Sequence, residues 1–361
     1  MSLQVQPVAR RITAVAWLPP RAGNAYNDAD LHFVTGSGGK HRELVLWTTV
    51  NPDFDNDTEG AQDSADERPL ASLIAKVAHD GDIHGIAALS DIVATVSSFG
   101  TISIYQADHG HSDDTSRLAL RESITAHRFA NSERASGTAL AMQPVDSPDA
   151  EVASCGEDGC IAYAQVSRLD ALQQHEVDST VITGICWPTP AQTAISTRGG
   201  QVKLFDRRTP ADVSAVFVSP STSYAFECIA AHPSQSFRLA TGTDSGAVLL
   251  WDTRNLKSPA MEVFNVHGSN VWDVQFDPTN SGRIVSCSDD ATLAVTQWST
   301  DGADASSSAR DVRRVSSFFN VLSVNCLDVC PFTRSSIIVA GSDSGNLLIE
   351  KSTNDDDFQL F

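Results

Sequence analysis

The stretch Arg238–Arg254 constrains the fold of this chain more than any other segment. It holds two short runs of small and apolar residues, Arg238–Thr241 and Ala247–Trp251. Between them lies Gly242–Gly246, a turn sequence in which Asp hydrogen-bonds to nearby backbone and Gly adopts positive φ. The second run ends in Trp251-Asp252. The stretch therefore predicts an antiparallel β-hairpin.

The same pattern recurs along the chain. Six further hairpins are predicted over His32–Trp47, Ile92–Tyr105, Glu151–Ala164, Thr193–Asp206, Arg283–Val295 and Ser336–Glu350. A small-residue strand, a tight Asp/Gly turn and an apolar strand, repeated every 40–50 residues or so, are typical of WD-type propeller blades. Closed propellers carry about 4–8 four-stranded blades. Seven units therefore predict an all-β, seven-bladed WD40-type β-propeller.

The repeat also predicts the domain organisation. Stacked blades share one continuous core, so residues 1–361 are expected to form a single domain. The last hairpin lacks a fourth strand, because the Asn354–Asp357 run that follows it is too charged. The alternating segment at residues 3–8 is predicted to close the ring as the outer strand of blade 7. Two segments are predicted to be disordered insertions, an acidic one at 51–69 and a Ser/Asp-rich one at 299–312, and residues 351–361 are predicted to form an acidic tail.

Charge and cysteine content exclude several classes of function. A formal net charge of −20 argues against nucleic-acid binding, which depends on Lys and Arg neutralising phosphates. No apolar run approaches the length of about 18 residues that membrane insertion requires. The seven cysteines show no paired close spacing, so neither a disulfide framework nor a zinc site is expected. Cys155 and Cys287 occupy equivalent strand positions, which indicates core packing.

A recurring histidine precedes three of the predicted inner strands. One histidine could act as a general base, but one that recurs from blade to blade favours a structural role between a turn Asp, a Ser/Thr and a Trp. The predicted structural blade residues are His79, His127, His267, Asp158, Asp244, Asp289, Asp343 and Trp251.

No constellation predicts catalysis or a bound cofactor. Gly38-Gly39 and Gly199-Gly200 lie in hairpin turns and not between a strand and a helix, as a phosphate cradle requires. The acids at 53, 55 and 57 mimic half of a calcium loop, but Thr58 stands where that loop needs Gly. We therefore expect a non-enzymatic binding protein with no metal, cofactor or small-molecule substrate.

Several segments are more specific than the architecture. They are Arg11–Pro20, Ala78–Ile86, Val152–Ile161, Gly200–Arg208, Ala231–Arg254, Val271–Pro278 and Ser323–Val329. Together they resemble the forty-three-kilodalton WD-repeat nucleoporins, propeller subunits of the Y-shaped outer-ring scaffold of the nuclear pore. The least generic segment is Ser323–Val329, whose sequence ordinary propellers do not share.

The resemblance implies a structural scaffold role at the nuclear pore complex of the nuclear envelope. The implied partners are the short-arm nucleoporins of the Y complex, and the implied process is nucleocytoplasmic transport, including mRNA export. No binding residue of the family is transferred to this chain.

An alternative function comes from a short box. Trp251–Arg254 fits the W-D-x-R box of propellers that serve as substrate receptors of cullin-type ubiquitin ligases, and Phe205–Arg208 is a weaker copy. There, Arg254 would contact the adaptor propeller of the ligase. The structural alternative is that Arg254 pairs with a nearby acid at the edge of its blade.

Overall fold

A computed structural model describes residues 2–20, 30–51, 70–108, 117–147, 149–209, 212–219, 224–255, 258–298, 311–317 and 322–351. These residues form strands and turns and contain no helix. Accordingly, no helix in the described ranges could cross a membrane.

The strands form seven four-stranded antiparallel sheets, one for each predicted hairpin. The chain begins with β1 (Ser2–Pro7), which pairs with the last blade. Blade 1 contains β2 (Ile12–Trp17), β3 (Asp30–Ser37), β4 (Glu43–Val50) and β5 (Ser72–Ala78). Blade 2 contains β6 (Ile83–Leu89), β7 (Ile92–Ser97), β8 (Thr101–Ala107) and β9 (Leu118–Thr125). Blade 3 contains β10 (Gly137–Met142), β11 (Glu151–Gly156), β12 (Cys160–Gln165) and β13 (Arg168–Glu176).

The remaining blades repeat this order from inner to outer strand. Blade 4 contains β14 (Ile182–Thr189), β15 (Gln192–Thr197), β16 (Gln201–Asp206) and β17 (Val213–Val218). Blade 5 contains β18 (Phe226–Ala231), β19 (Arg238–Thr243), β20 (Val248–Asp252) and β21 (Met261–Val263). Blade 6 contains β22 (Val271–Phe276), β23 (Arg283–Ser288), β24 (Thr292–Gln297) and β25 (Asp311–Ser317). Blade 7 contains β26 (Val324–Val329), β27 (Ile337–Ser342) and β28 (Asn346–Lys351), with β1 as its outer strand.

The blades close into a ring around a central channel. Each inner strand contacts the inner strand of the next blade, and β26 contacts β2 to complete the circle. Alternate side chains of each strand point to opposite faces of its sheet, so each blade packs against both neighbours. The core accordingly divides into seven apolar clusters, one at each junction between blades. The predicted seven-bladed propeller is confirmed.

The first strand closes the last blade, as predicted. β1 pairs antiparallel with β28, with Ser2 opposite Lys351 and Pro7 opposite Asn346. The strand therefore begins and ends one residue earlier than the predicted segment at 3–8. Gln6 fastens it to blade 1: its Nε2 donates to Ala71 O at 3.0 Å, and its Oε1 accepts from Ala71 N at 2.9 Å.

Most of the two predicted insertions and of the predicted tail lies outside the described residues, as do the acids at 53, 55 and 57. At their edges the strands run further than expected. β25 begins at Asp311 and β28 ends at Lys351, inside the predicted ranges 299–312 and 351–361. Asn51, the first residue of the predicted insertion at 51–69, is buried.

Chain direction gives the ring two distinct faces. The turns between second and third strands, together with the connections from one blade to the next, lie on one face, which we name the turn face. The connections from inner to second strand and from third to outer strand lie on the opposite face, which we name the loop face.

A belt of polar bonds surrounds the channel. In five blades, the second residue of the inner strand bonds to the carbonyl O of the first residue of the next inner strand. These bonds run from Thr13 to Ile83, His84 to Gly137, Thr138 to Ile182, Thr183 to Phe226 and Asn325 to Ile12. In blade 5 the corresponding residue is Glu227, and the thiol of the next residue, Cys228, donates instead to Val271 O at 3.4 Å. The belt ties neighbouring inner strands together where no backbone ladder joins them.

Candidate functional site

The three predicted histidines are buried between a strand and a turn. His127 is fully buried: its Nδ1 lies 3.0 Å from Asp158 Oδ1, and its Nε2 lies 2.8 Å from Ser154 Oγ. Asp158 also accepts from Arg128 N at 3.1 Å. These bonds attach the segment that connects blades 2 and 3 to the second strand and the turn of blade 3.

The other two histidines have different turn partners. His79 Nε2 lies 2.9 Å from Thr95 Oγ1, while its Nδ1 faces Gly81 O at 3.1 Å. Burial lowers the pKa of His79, which favours the neutral ring. His267 Nε2 lies 2.8 Å from Ser286 Oγ, and its Nδ1 lies 2.8 Å from Thr292 Oγ1.

The predicted tryptophan lies in a blade without such a histidine. Trp251 is buried, and its Nε1 donates to Thr241 Oγ1 at 3.0 Å. Trp47 makes the same bond to Thr35 in blade 1. Before blade 5, Tyr224 takes the position that the histidines occupy before other blades. Its carbonyl O lies close to the turn glycine Gly200, just as the carbonyl O of His267 lies close to Gly246. Histidine and tryptophan are therefore distributed over different blades.

The predicted turn acids have three kinds of environment. Asp158 is the second residue after its strand and contacts its histidine. Asp289 and Asp343 are the first residues after theirs, and both line the mouth of the central channel on the turn face. At the turn of blade 6 it is Asp290 whose Oδ1 lies 3.5 Å from His267 Nδ1. Asp244 is exposed on its turn. A structural role for these residues stays a prediction.

The seam between blades 7 and 1 holds polar residues that we did not predict from the sequence. Asn325 Nδ2 donates to Asp343 Oδ1 at 2.6 Å, and Arg11 Nε donates to the same oxygen at 2.5 Å. Further down the strand, Asp328 Oδ2 accepts from Trp17 N at 2.8 Å. Both Asn325 and Asp328 belong to Ser323–Val329, the segment whose sequence is least generic. Its unusual residues therefore lie where the last blade meets the first.

A second buried carboxylate links blades 6 and 7. Asp273 Oδ2 accepts from Leu327 N at 3.1 Å, and its Oδ1 accepts from Val274 N at 2.8 Å. Burial raises the pKa of Asp273 and that of Asp328 to about 7. The signal available in the sequence was an acid inside a mostly apolar inner strand, in VWDVQF and VNCLDV.

Arg254 forms a local ion pair on the loop face. Its Nε donates to Asp252 Oδ1 at 2.8 Å and its Nη2 to Asp252 Oδ2 at 2.5 Å. Its guanidinium carbon lies 3.7 Å from the centre of the Phe237 ring. The hydrogen bonds from Arg254 lower the pKa of Asp252. The side chain nevertheless remains 65% exposed. Arg208 makes the same paired contact with Asp206.

The cysteines lie in the core. All seven are buried and free. Burial raises the pKa of Cys155 to about 12 and that of Cys160 to about 11, so both thiols stay protonated at neutral pH. Across the ranges that the structure describes, no group of three or more His, Cys, Asp or Glu side chains is placed to hold a metal.

The closed ring, the hairpin turns and the two faces define a seven-bladed WD40-type β-propeller. The WD domain, G-beta repeat family matches residues 259–296, which cover β21, β22, β23 and most of β24. The chain is similar to Nucleoporin Nup43 of Mus musculus, with 23% identity over 319 residues, 87% of this chain and 80% of that protein. The human Nucleoporin Nup43 is 24% identical with the same coverage. The resemblance seen in the sequence is confirmed.

A more distant relative shows the same likeness over a shorter span. Nuclear pore complex protein nup43 of Dictyostelium discoideum is 24% identical over 148 residues, 40% of this chain and 35% of that protein.

Proposed function

We propose that this chain is a non-enzymatic scaffold nucleoporin, a propeller subunit of the Y-shaped outer-ring complex of the nuclear pore. In this role it supports nucleocytoplasmic transport, including mRNA export, and its partners are short-arm nucleoporins. The observation that carries the proposal is the similarity to two nucleoporins over 87% of the chain. The matched span is long enough to include most of the ring and is not confined to one generic blade.

The architecture supports a docking role. The ring is completed by its own first strand, so no blade is left open for a partner to fill. A partner would therefore bind a face or the outer rim. Rigid propellers commonly present their faces and loops for binding.

The proposal is tested by isolating the protein from its own cells. A tagged copy at the native locus is purified gently, and the co-purifying proteins are identified and quantified by mass spectrometry. We expect outer-ring nucleoporins in near-equal amounts, and fluorescence of the tagged protein at the nuclear rim. Recovery without nucleoporins, together with diffuse fluorescence, would contradict the proposal.

The ligase alternative is tested in the same purification. Under that alternative, the exposed guanidinium group of Arg254 contacts an adaptor. Arg254→Ala would then abolish recovery of a cullin adaptor, whereas Arg208→Ala, in the weaker copy of the box in blade 4, would reduce that recovery less. Under the scaffold proposal, both variants retain the nucleoporins and neither the variants nor the unaltered protein brings down an adaptor.

A further inference from the structure

The central channel opens on the turn face into a cavity of about 380 Å³. Five blades each contribute one carboxylate to its described lining. These residues are Asp82, Glu157, Glu227, Asp289 and Asp343. Two guanidinium groups, those of Arg11 and Arg198, line the same cavity. The mouth therefore carries an excess of negative charge in a concave site.

Three of the carboxylates already have cationic partners. Arg11 binds Asp343 at 2.5 Å, and Arg198 lies 3.4 Å from Glu227. Asp82 accepts from Arg42 at 2.9 Å.

The other two carboxylates are open to a ligand. Glu157 and Asp289 are exposed, and neither forms an ion pair with any residue that the structure describes. The Asp289 carboxylate accepts a long hydrogen bond, 3.4 Å, from Ser269 Oγ. Neither acid is needed to hold its turn, because in each turn the backbone N–H makes the anchoring bond, from Glu157 to Ser136 O and from Asp289 to Asn270 O.

The wall of the cavity adds two features that an acidic surface alone would lack. Trp272 is partly exposed and lines both the cavity and the channel below it. Ser323, only 8% exposed, lines the cavity as well, and its Oγ has no hydrogen-bond partner among the described residues. A buried hydroxyl without a partner is uncommon in folded proteins, and this one belongs to a residue in the wall of the cavity.

We propose that this mouth binds a lysine or arginine side chain presented by an extended segment of a partner protein. The cation would donate a charge-assisted hydrogen bond to Asp289 and would lie against the ring of Trp272 in the same blade. Glu157, on the turn of blade 3, would add to the negative potential of the mouth. The net charge of −20 attracts basic segments and repels nucleic acid. The inference goes beyond the pore assignment and does not depend on it, since it concerns the chemistry of the segment that is bound.

Fluorescence anisotropy on the purified full chain tests the proposal. The probe is a fluorescein-labelled glycine–serine dodecapeptide with two central arginines, and the control probe has two central glutamates. We expect binding of the arginine peptide only. Glu157→Gln combined with Asp289→Asn should weaken that binding about tenfold, and Trp272→Leu about threefold. Asp244→Asn is the matched control, because Asp244 holds the same turn position in blade 5 but does not line the cavity.

The control separates a site from general charge attraction. We expect Asp244→Asn to bind within about twofold of the unaltered chain. Equal weakening by Asp244→Asn and by the double variant would overturn the proposal, as would failure of the unaltered chain to bind the arginine peptide. The unfolding temperature of each variant is measured alongside, and Trp272→Phe replaces Trp272→Leu if the latter does not fold. Retained binding by Trp272→Phe with loss in the double variant supports the proposal.

Discussion

At the scale of single residues, six of the seven hairpin turns place a glycine at positive φ, and the turn of blade 6 places Ala291 there. Gly246 has φ of 84°, and a Cβ at that position would lie 2.2 Å from His267 O. Gly39 has φ of 78° at the equivalent turn of blade 1, but a Cβ there would meet no other atom within 4 Å. The two positions share a backbone conformation and differ in the close approach of the next blade's connection.

This pair predicts unequal costs for the same substitution. Gly39→Ala should lower the free energy of unfolding by about 1 kcal/mol, the cost of a left-handed alanine. Gly246→Ala adds a collision with a backbone carbonyl and should cost about 3 kcal/mol or more. Urea unfolding followed by tryptophan fluorescence measures both. Equal losses would show that the contact with His267 contributes nothing.

The turn glycines were predictable from the sequence, but the functions of the neighbouring acids were not. Positive φ at Gly246 follows from turn chemistry alone. Whether an acid faces a histidine, as Asp158 does, or the channel mouth, as Asp289 does, depends on its position within the turn and on the residue before the next inner strand. A one-residue difference changes the direction of the side chain, and a repeat this degenerate does not fix that register.

At the scale of elements, the inner strands of blades 6 and 7 each contain a buried aspartate that makes the free energy of unfolding depend on pH. Burial raises the pKa of Asp273 and Asp328 to about 7, whereas an unfolded aspartate titrates near 3.9 or so. Between these values the folded chain binds protons that the unfolded chain has released. The free energy of unfolding should therefore fall as pH rises from about 4 to 7, by at most about 1.4 kcal/mol per pH unit for each carboxyl.

Asparagine at both positions tests this dependence. Asp273→Asn combined with Asp328→Asn removes both titrating groups, but each new amide nitrogen faces a backbone N–H that a carboxyl oxygen had accepted. We therefore expect lower stability at every pH and a flatter profile from about pH 5 to about pH 8. Asp244→Asn, at an exposed turn, should keep the slope of the unaltered chain. Urea midpoints across this pH range give the slopes. An unchanged slope in the double variant would contradict a raised pKa at these two sites.

The belt around the channel shows what strand prediction leaves out. Aligned by their first residues, the seven inner strands carry Thr, His, Thr, Thr, Glu, Trp and Asn at the second position. The column is mixed in chemistry, so it gives no periodic signal. It gains meaning only when the ring brings each of these side chains to the carbonyl of the next strand, as with Thr183 and Phe226.

At the scale of the whole molecule, the repeat made the architecture predictable. Seven hairpins of similar length leave one way to bury their faces, which is to stack in a closed ring. What could not be predicted is how the ring is sealed. The bonds from Asn325 and Asp328 to blade 1 join residues more than 300 positions apart, and no local pattern reports such a contact.

Ring closure by the first strand should contribute to the stability and solubility of the whole ring. Removing residues 1–8 deletes β1 and uncovers β28, where Leu347, Leu348 and Ile349 are buried in the intact ring. It also removes the reciprocal bonds between Gln6 and Ala71. We expect the truncated chain to unfold at a temperature lower by roughly 5 °C or more, and to aggregate through its open edge.

The missing strand can be supplied separately. A synthetic peptide of residues 1–10 should restore the unfolding temperature in a concentration-dependent manner, because a ligand that binds only the folded chain stabilises it by mass action. A peptide of the same composition in scrambled order should have no effect, since its side chains cannot match the register with β28. Differential scanning fluorimetry and light scattering follow both outcomes. A truncated chain as stable as the intact one would mean that blade 7 needs only three strands, and that the contacts across the seam from β26 to β2 close the ring by themselves.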